Sequence, residues 1–196
     1  MTPRFAEISR GVRDALGQDH RYAHVIRVAR LADRLAQRHG EDPARARLAG
    51  LLHDLARLYT SERLVAECEA RAMPIDAFER RNPVVLHARL GAEFARERFG
   101  VTDEGVLDAI RRHTVAAGSM SRLDAIVYLA DGVEPGRQFP ERESFEALAF
   151  VDLDAAMAAV LRSSVAHLER QGLEAAPQTI AALATYRSVE RTPLSA

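Results

Sequence analysis

The chain has 196 residues, 47% apolar and 28% charged, with a formal net charge of −1, which predicts one soluble globular domain with a full-sized core. A near-neutral balance argues against a general nucleic-acid binder, which carries a basic surplus to neutralise phosphates, and no apolar stretch approaches the roughly 20 residues of a membrane span. All 27 basic residues are Arg, which excludes lysine Schiff-base chemistry and a P-loop and makes every cation a planar, bidentate guanidinium.

The periodicity is helical throughout, with no convincing alternation of a strand type, so an all-α, single-core bundle is expected. Phe5, Ile8, Val12 and Leu16 form a first stripe ended by Gly17. Val25, Val28, Leu31, Ala32 and Leu35 form a second, ended by Gly40. A third helix begins near Pro43 and is expected to run through His53 and Asp54 to Leu58. Thr60 or Ser61 caps a fourth, Asn82-Pro83 opens a fifth that ends at Gly100, and Thr102 opens a sixth. Ser121-Arg122-Leu123-Asp124 is a capping-box pattern for a seventh, which Pro135 must end. Residues from about Asp152 to Gln171 and from Pro177 to about Val189 make two more. Gly132–Glu143, with Pro135, Gly136 and Pro140, reads as a loop over the site.

Cys68 is the single cysteine, so an intramolecular disulfide is excluded and a reducing cytoplasm fits. The first residues, Met1 to Glu7, lack the apolar core of a signal peptide.

His53 and Asp54 lie side by side in the apolar run Ala49-Gly50-Leu51-Leu52-His53-Asp54-Leu55-Ala56. A carboxylate buried there needs a cation, and the neighbouring imidazole offers a second ligand to it. Asp131 ends another apolar run, Ile126-Val127-Tyr128-Leu129-Ala130. His24 shares a face with Val28, Leu31 and Leu35, His87 follows Val84-Val85-Leu86, and His113 closes the apolar side of its helix after Val106 and Ile110. Six candidate ligands, His24, His53, Asp54, His87, His113 and Asp131, thus come from five helices, and imidazole with carboxylate suits iron, manganese, zinc and nickel. His20, His39 and His167 have polar neighbours and read as surface residues.

His24, His53-Asp54 and Asp131 resemble the H…HD…D signature of HD-domain metal-dependent phosphohydrolases. The segments Arg21-Tyr22-Ala23-His24, Ala49 to Arg57, Leu86-His87, His113-Thr114 and Tyr128 to Arg137 extend the match, and the series is similar to the YqeK family, covering about residues 5 to 187. That resemblance implies an HD-domain helical bundle, with an HD core over about 19–135 and C-terminal helices over about 144–189 of a single domain spanning 1–196. It also implies iron and symmetrical hydrolysis of diadenosine tetraphosphate or related dinucleoside polyphosphates to two ADP. Two departures stand out. Arg57 replaces the family's usual lysine, and Val115-Ala116-Ala117 replaces a common Thr-Gly after His113-Thr114.

Six ligands suit two transition-metal ions, one on His24, His53, Asp54 and Asp131, the other on Asp54, His87 and His113, with Asp54 bridging. Asp54, His87 and His113 are then the catalytic candidates, and Arg21, Arg57, Arg137 and Thr114 the candidates for phosphate. A small nucleotide is the expected partner, with no nucleic acid and no membrane; a homodimer stays open. Three alternatives also stay open: hydrolysis of a deoxynucleotide or guanosine alarmone, a slow-turnover nucleotide-binding regulator, and a helical adaptor with core histidines.

Overall fold

The computed structural model describes residues 3–189, with side chains from 5 to 187. They form α1 (Pro3–Leu16), α2 (Asp19–His39), α3 (Pro43–Leu52), α4 (Ser61–Ala70), α5 (Ala77–Arg81), a 3-10 turn (Pro83–Val85), α6 (Leu86–Phe99), α7 (Glu104–Arg112), α8 (Arg122–Val133), α9 (Arg142–Val151), α10 (Leu153–Arg170) and α11 (Pro177–Val189). Among the described residues there is no strand, so the fold is all-α as expected.

Local chemistry sets most of these boundaries. Asp42 accepts hydrogen bonds from the amides of Ala44 and Arg45 ahead of α3, Thr60 accepts from Arg63 ahead of α4, and Ser121 and Asp124 make a reciprocal capping box at α8. Gly40 and Gly100 close α2 and α6 in the left-handed conformation. Three expectations change. Asp103, not Thr102, caps α7, because its carboxylate reaches the Val106 amide. Asn82 makes no side-chain cap bond, and Pro83 begins a 3-10 turn, so α6 starts at Leu86. The third helix stops at Leu52, for a reason that lies in His53 and is given below. Two short helices add to the expected set: α5, which the periodicity did not assign, and α9, which falls mostly within the C-terminal helical region expected from about 144. Asp76 and Glu79 supply α5 with a capping box, whereas α9 begins without a side-chain cap and buries only Ala149 completely.

The middle of the bundle is α8, whose residues Leu123 to Ala130 are all buried; a helix apolar on every side has to be enclosed. It packs against α2, α3, α7, α9 and α10. Its C-terminal end brings Asp131 to the rim of the core. α2 buries one face, from His24 through Ala36, and crosses α3 closely at Gly50, where an added Cβ would lie 3.0 Å from Ala29 Cα. One apolar cluster extends from Ile8 to Tyr186. No helix among the described residues is long and apolar enough to cross a membrane.

Candidate metal centre

His53 follows the last residue of α3, and its Nδ1–H donates to the Gly50 carbonyl at 2.8 Å. An uninterrupted α-helix would give that carbonyl to the Asp54 amide. With it taken, the chain continues in tighter turns, Leu55 N–H to Leu52 O and Arg57 N–H to Asp54 O. The HD pair therefore sits on a helix end, fully enclosed, with His53 0% and Asp54 4% exposed. The same device recurs twice: His87 Nδ1–H donates to Val84 O at 2.5 Å and His113 Nδ1–H to Ile110 O at 2.7 Å. A carbonyl can only accept, so each of these rings carries a proton on Nδ1 and turns its Nε2 toward the site. His24 lies inside α2, where main-chain carbonyls are already engaged, and its Nδ1 instead faces Glu134 Oε1 at 3.1 Å.

All four Nε2 atoms converge on two carboxylates. His24 Nε2 is 3.1 Å from Asp131 Oδ1 and 3.7 Å from Asp54 Oδ2. His53 Nε2 is 3.7 Å from both Asp54 Oδ1 and Asp131 Oδ1. His87 and His113 lie 3.4 and 3.8 Å from Asp54 Oδ1. Two ligands each about 2.1 Å from one ion at 90–110° stand about 3.0–3.4 Å apart, so these separations suit shared coordination with small adjustments. His24, His53 and Asp131 form one group able to hold an ion, and His53, Asp54 and His113 another.

The donor set itself calls for a cation. His53 Nε2 is buried with no hydrogen-bond partner. His87 and His113 turn their Nε2 atoms toward each other at 3.1 Å, and the single Thr114 hydroxyl, 3.2 and 3.0 Å from them, can donate to only one. Burial, reinforced by the His53 and His87 rings, pushes His113 down to about 3, so it stays neutral at pH 7. Burial on its own would raise Asp54, but the His53, His87 and His113 rings outweigh it and hold the carboxyl well below the usual range. Asp131 is likewise held down against burial, by His24, His53 and Arg137. Imidazole nitrogens and ionised acids packed together are a donor set that could hold a divalent metal.

The site opens into a cavity of about 380 Å³ that is walled by Asp54, His87, His113 and Asp131, and by all four residues expected at phosphate: Arg21, Arg57, Thr114 and Arg137. Arg21 Nη1 lies 3.7 Å from Asp54 Oδ2. Arg137 is already engaged, with Nε donating to Asp131 O at 2.9 Å and Nη2 to Asp131 Oδ1. The expected loop over the site is narrower than Gly132–Glu143, because Gly132 and Val133 remain in α8 and α9 begins at Arg142. His39 departs from the surface reading: it is half-buried and its Nε2–H donates to Ala149 O at 2.6 Å. His20 and His167 are exposed as expected.

Sequence reasoning passed over Arg27 and the cavity wall of Val160 and Ser164, and it placed Tyr128 and Glu134 only within the matching segment Tyr128 to Arg137, with no role for either. Glu134 is 1% exposed. Its signal was its place in that segment, as an acid between the buried helix end at Val133 and Pro135. The α10 residues gave none, since Val160 and Ser164 read as ordinary positions of a packed helix.

The sequence model of the HD domain matches residues 21–136, from Arg21 to Gly136, and so includes all six candidate ligands. This chain belongs to the HD-domain family. Within it, the chain is 34% identical to a protein of Bacillus subtilis (strain 168) named bis(5'-nucleosyl)-tetraphosphatase, symmetrical, over 82% of this chain and 86% of that one. A protein of the same name from Halalkalibacterium halodurans is 36% identical over 87% of this chain and 89% of that one. The crystal structure of a predicted HD superfamily hydrolase involved in NAD metabolism from Clostridium acetobutylicum superposes with a TM-score of 0.90 at 32% identity, over 94% of this chain and 97% of the other. The HD-domain expectation, and the likeness to symmetrical tetraphosphatases within it, both hold.

Proposed function

We propose that this HD-domain protein hydrolyses diadenosine tetraphosphate symmetrically, adding water across the central P–O–P bond to release two ADP. The observation that carries the reading is the convergence of four histidine Nε2 atoms and two carboxylates at the floor of an arginine-lined cavity. The relatives named for that activity, matched over most of their length, supply the substrate.

His24, His53, Asp54 and Asp131 would hold one ion, and Asp54, His87 and His113 the other, with Asp54 shared between them. Iron is the proposed metal, with manganese, nickel or zinc served by the same ligand types. Bound there, two divalent ions lower the pKa of a water and offset charge on the phosphate oxygens. The protein's own contribution is orientation: the Nδ1 hydrogen bonds fix each ring, and Arg21, Arg57 and Arg137 present guanidinium forks to the polyphosphate. Thr114 can donate its hydroxyl to a phosphate oxygen once the imidazole nitrogens beside it are engaged. The cavity has room for part of the substrate, and the remainder extends through its open side. We also read residues 1–196 as one domain, a reading supported by the continuous apolar cluster from Ile8 to Tyr186.

The test is incubation of anaerobically purified, metal-replete protein with diadenosine tetraphosphate, with products resolved by chromatography and a chelator-treated control. ADP alone, abolished by chelation, supports the proposal. ATP with AMP would overturn the symmetrical cleavage. Faster turnover of a deoxynucleotide or a guanosine alarmone would overturn the substrate, and tight binding without turnover would make the protein a regulator.

A further inference from the structure

We propose that Glu134 is a positioning residue for His24 and that Arg27 and Gly136 serve to hold it in that role. The inference rests on the metal centre proposed above and extends it to residues outside the ligand set. Three of the four ligand histidines lean on neutral main-chain carbonyls three residues back in their own segments. His24 alone leans on a charged side chain, brought from 110 residues away. Its ring orientation, and the basicity of its Nε2, therefore depend on where Glu134 is held.

Glu134 is held at both oxygens. Oε1 accepts from His24 Nδ1–H at 3.1 Å and from Arg27 Nη2 at 3.0 Å. Oε2 accepts from Arg27 Nε and from the Gly136 amide at 2.6 Å. His24 and Arg27 are three residues apart on one face of α2, so a single carboxylate reaches both. Gly136 is required by close approach, since a Cβ there would lie 2.3 Å from Arg27 Nη2 and displace the guanidinium. The bidentate Arg27 guanidinium and the Gly136 amide both donate to this nearly buried carboxylate, so the acceptor offered to His24 is anionic. An anionic partner behind a ligand imidazole fixes its tautomer and strengthens it as a donor to metal, an effect worth roughly 10- to 100-fold in affinity.

The competing account is a staple that only ties α2 to the end of α8. Direct titration separates the two, with Co²⁺ added to chelator-stripped protein and followed by calorimetry and visible absorption, well below the melting temperature. Glu134→Gln is isosteric and keeps an acceptor for His24 while losing the charge. It is expected to weaken one of the ions roughly tenfold, and Glu134→Leu roughly 100-fold, with the ion on His87 and His113 unchanged. Arg27→Gln should weaken the same ion, because Glu134 is then free to turn away. Wild-type Co²⁺ affinity in folded Glu134→Gln would reduce Glu134 to a staple and overturn the proposal, and equal weakening of both ions would overturn it too. If Glu134→Leu does not fold, Glu134→Gln decides alone. Wild-type protein that binds no Co²⁺ would overturn the metal centre itself, an outcome distinct from the other two.

Discussion

Asp54 turns its two oxygens to different partners: Oδ2 stands 3.7 Å from both His24 and Arg21, whereas Oδ1 faces His53, His87 and His113. Among the described residues no other acid stands within 4 Å of His24 and also of His87 and His113. Asp54→Ala should therefore release metal and lower kcat/KM by roughly 100-fold or more, since several kcal/mol of charge stabilisation vanish at a factor of ten per 1.36 kcal/mol. His167→Ala, at an exposed position, should change neither, and elemental analysis beside initial rates compares them. Equal behaviour of the two variants would sink the ligand assignment. Arg137 contacts Asp131 and faces the cavity. Arg137→Ala is expected to reduce kcat/KM by roughly 10- to 150-fold, the loss of one charge-assisted contact of about 1.5–3 kcal/mol. Retained metal would place its effect on phosphate; lost metal would make it a support for Asp131. The six ligand candidates were legible in the sequence because acids and histidines in apolar runs must find partners. Glu134 was legible only as a position in the matching segment; its role was not, because its contacts with His24 and Arg27 exist only once the fold sets α2 against it.

Helix ends divide into those that local chemistry dictates and those that the site dictates. Gly40, Gly100, Thr60 and Ser121 were readable because a cap acts within about four residues. The end of α3 was not, since it depends on His53 taking the Gly50 carbonyl. α4 ends in a Schellman arrangement, with the Met73 amide bonded to Cys68 O and the Ala72 amide to Glu69 O, and it places the exposed Ala72 at a φ of 52°. A left-handed alanine costs roughly 1–2 kcal/mol, from which the extra freedom of glycine in the unfolded chain takes back roughly 0.4–1. Ala72→Gly should thus raise the melting temperature by about 1–4 °C and leave hydrolysis unchanged. Calorimetry checks it, and a lower melting temperature would contradict the assigned conformation.

For the whole molecule, the buried charges set a pH dependence. The unfolded chain protonates an ordinary histidine near 6.5, while folded His113 resists until about 3 because burial and its neighbouring rings disfavour the cation. Glu134, held at about 2, and Asp54 and Asp131, held low, likewise stay ionised in the fold while their unfolded counterparts take up protons near pH 4. Each makes stability fall as pH falls. His24, raised by Asp131 and Glu134 against its burial, acts the other way. Its contribution is fully present below 6.5 and is lost as pH rises through its folded value, so below 6.5 it no longer changes. The melting temperature of chelator-stripped protein should accordingly decline steadily from pH 6.5 toward 3. Circular dichroism melts at constant ionic strength measure this, and a melting temperature that climbed over that range would refute the buried neutral state of His113.

The amino-acid sequence alone determined the helical class, most caps and the residue types of the site, since periodicity, capping and the need to compensate buried charge operate within a few residues. It also determined that every cation facing the cavity is a guanidinium. Tertiary structure decided which nitrogen meets which oxygen. His24 and Glu134 lie 110 residues apart and Arg27 and Glu134 lie 107 apart; they meet because α2 packs against α8, whose apolar run brings both Asp131 and Glu134 to its end. α10 likewise reaches the cavity through Val160 and Ser164 by packing on α8. Contacts of that separation depend on how apolar faces fit together in three dimensions, which no local pattern encodes.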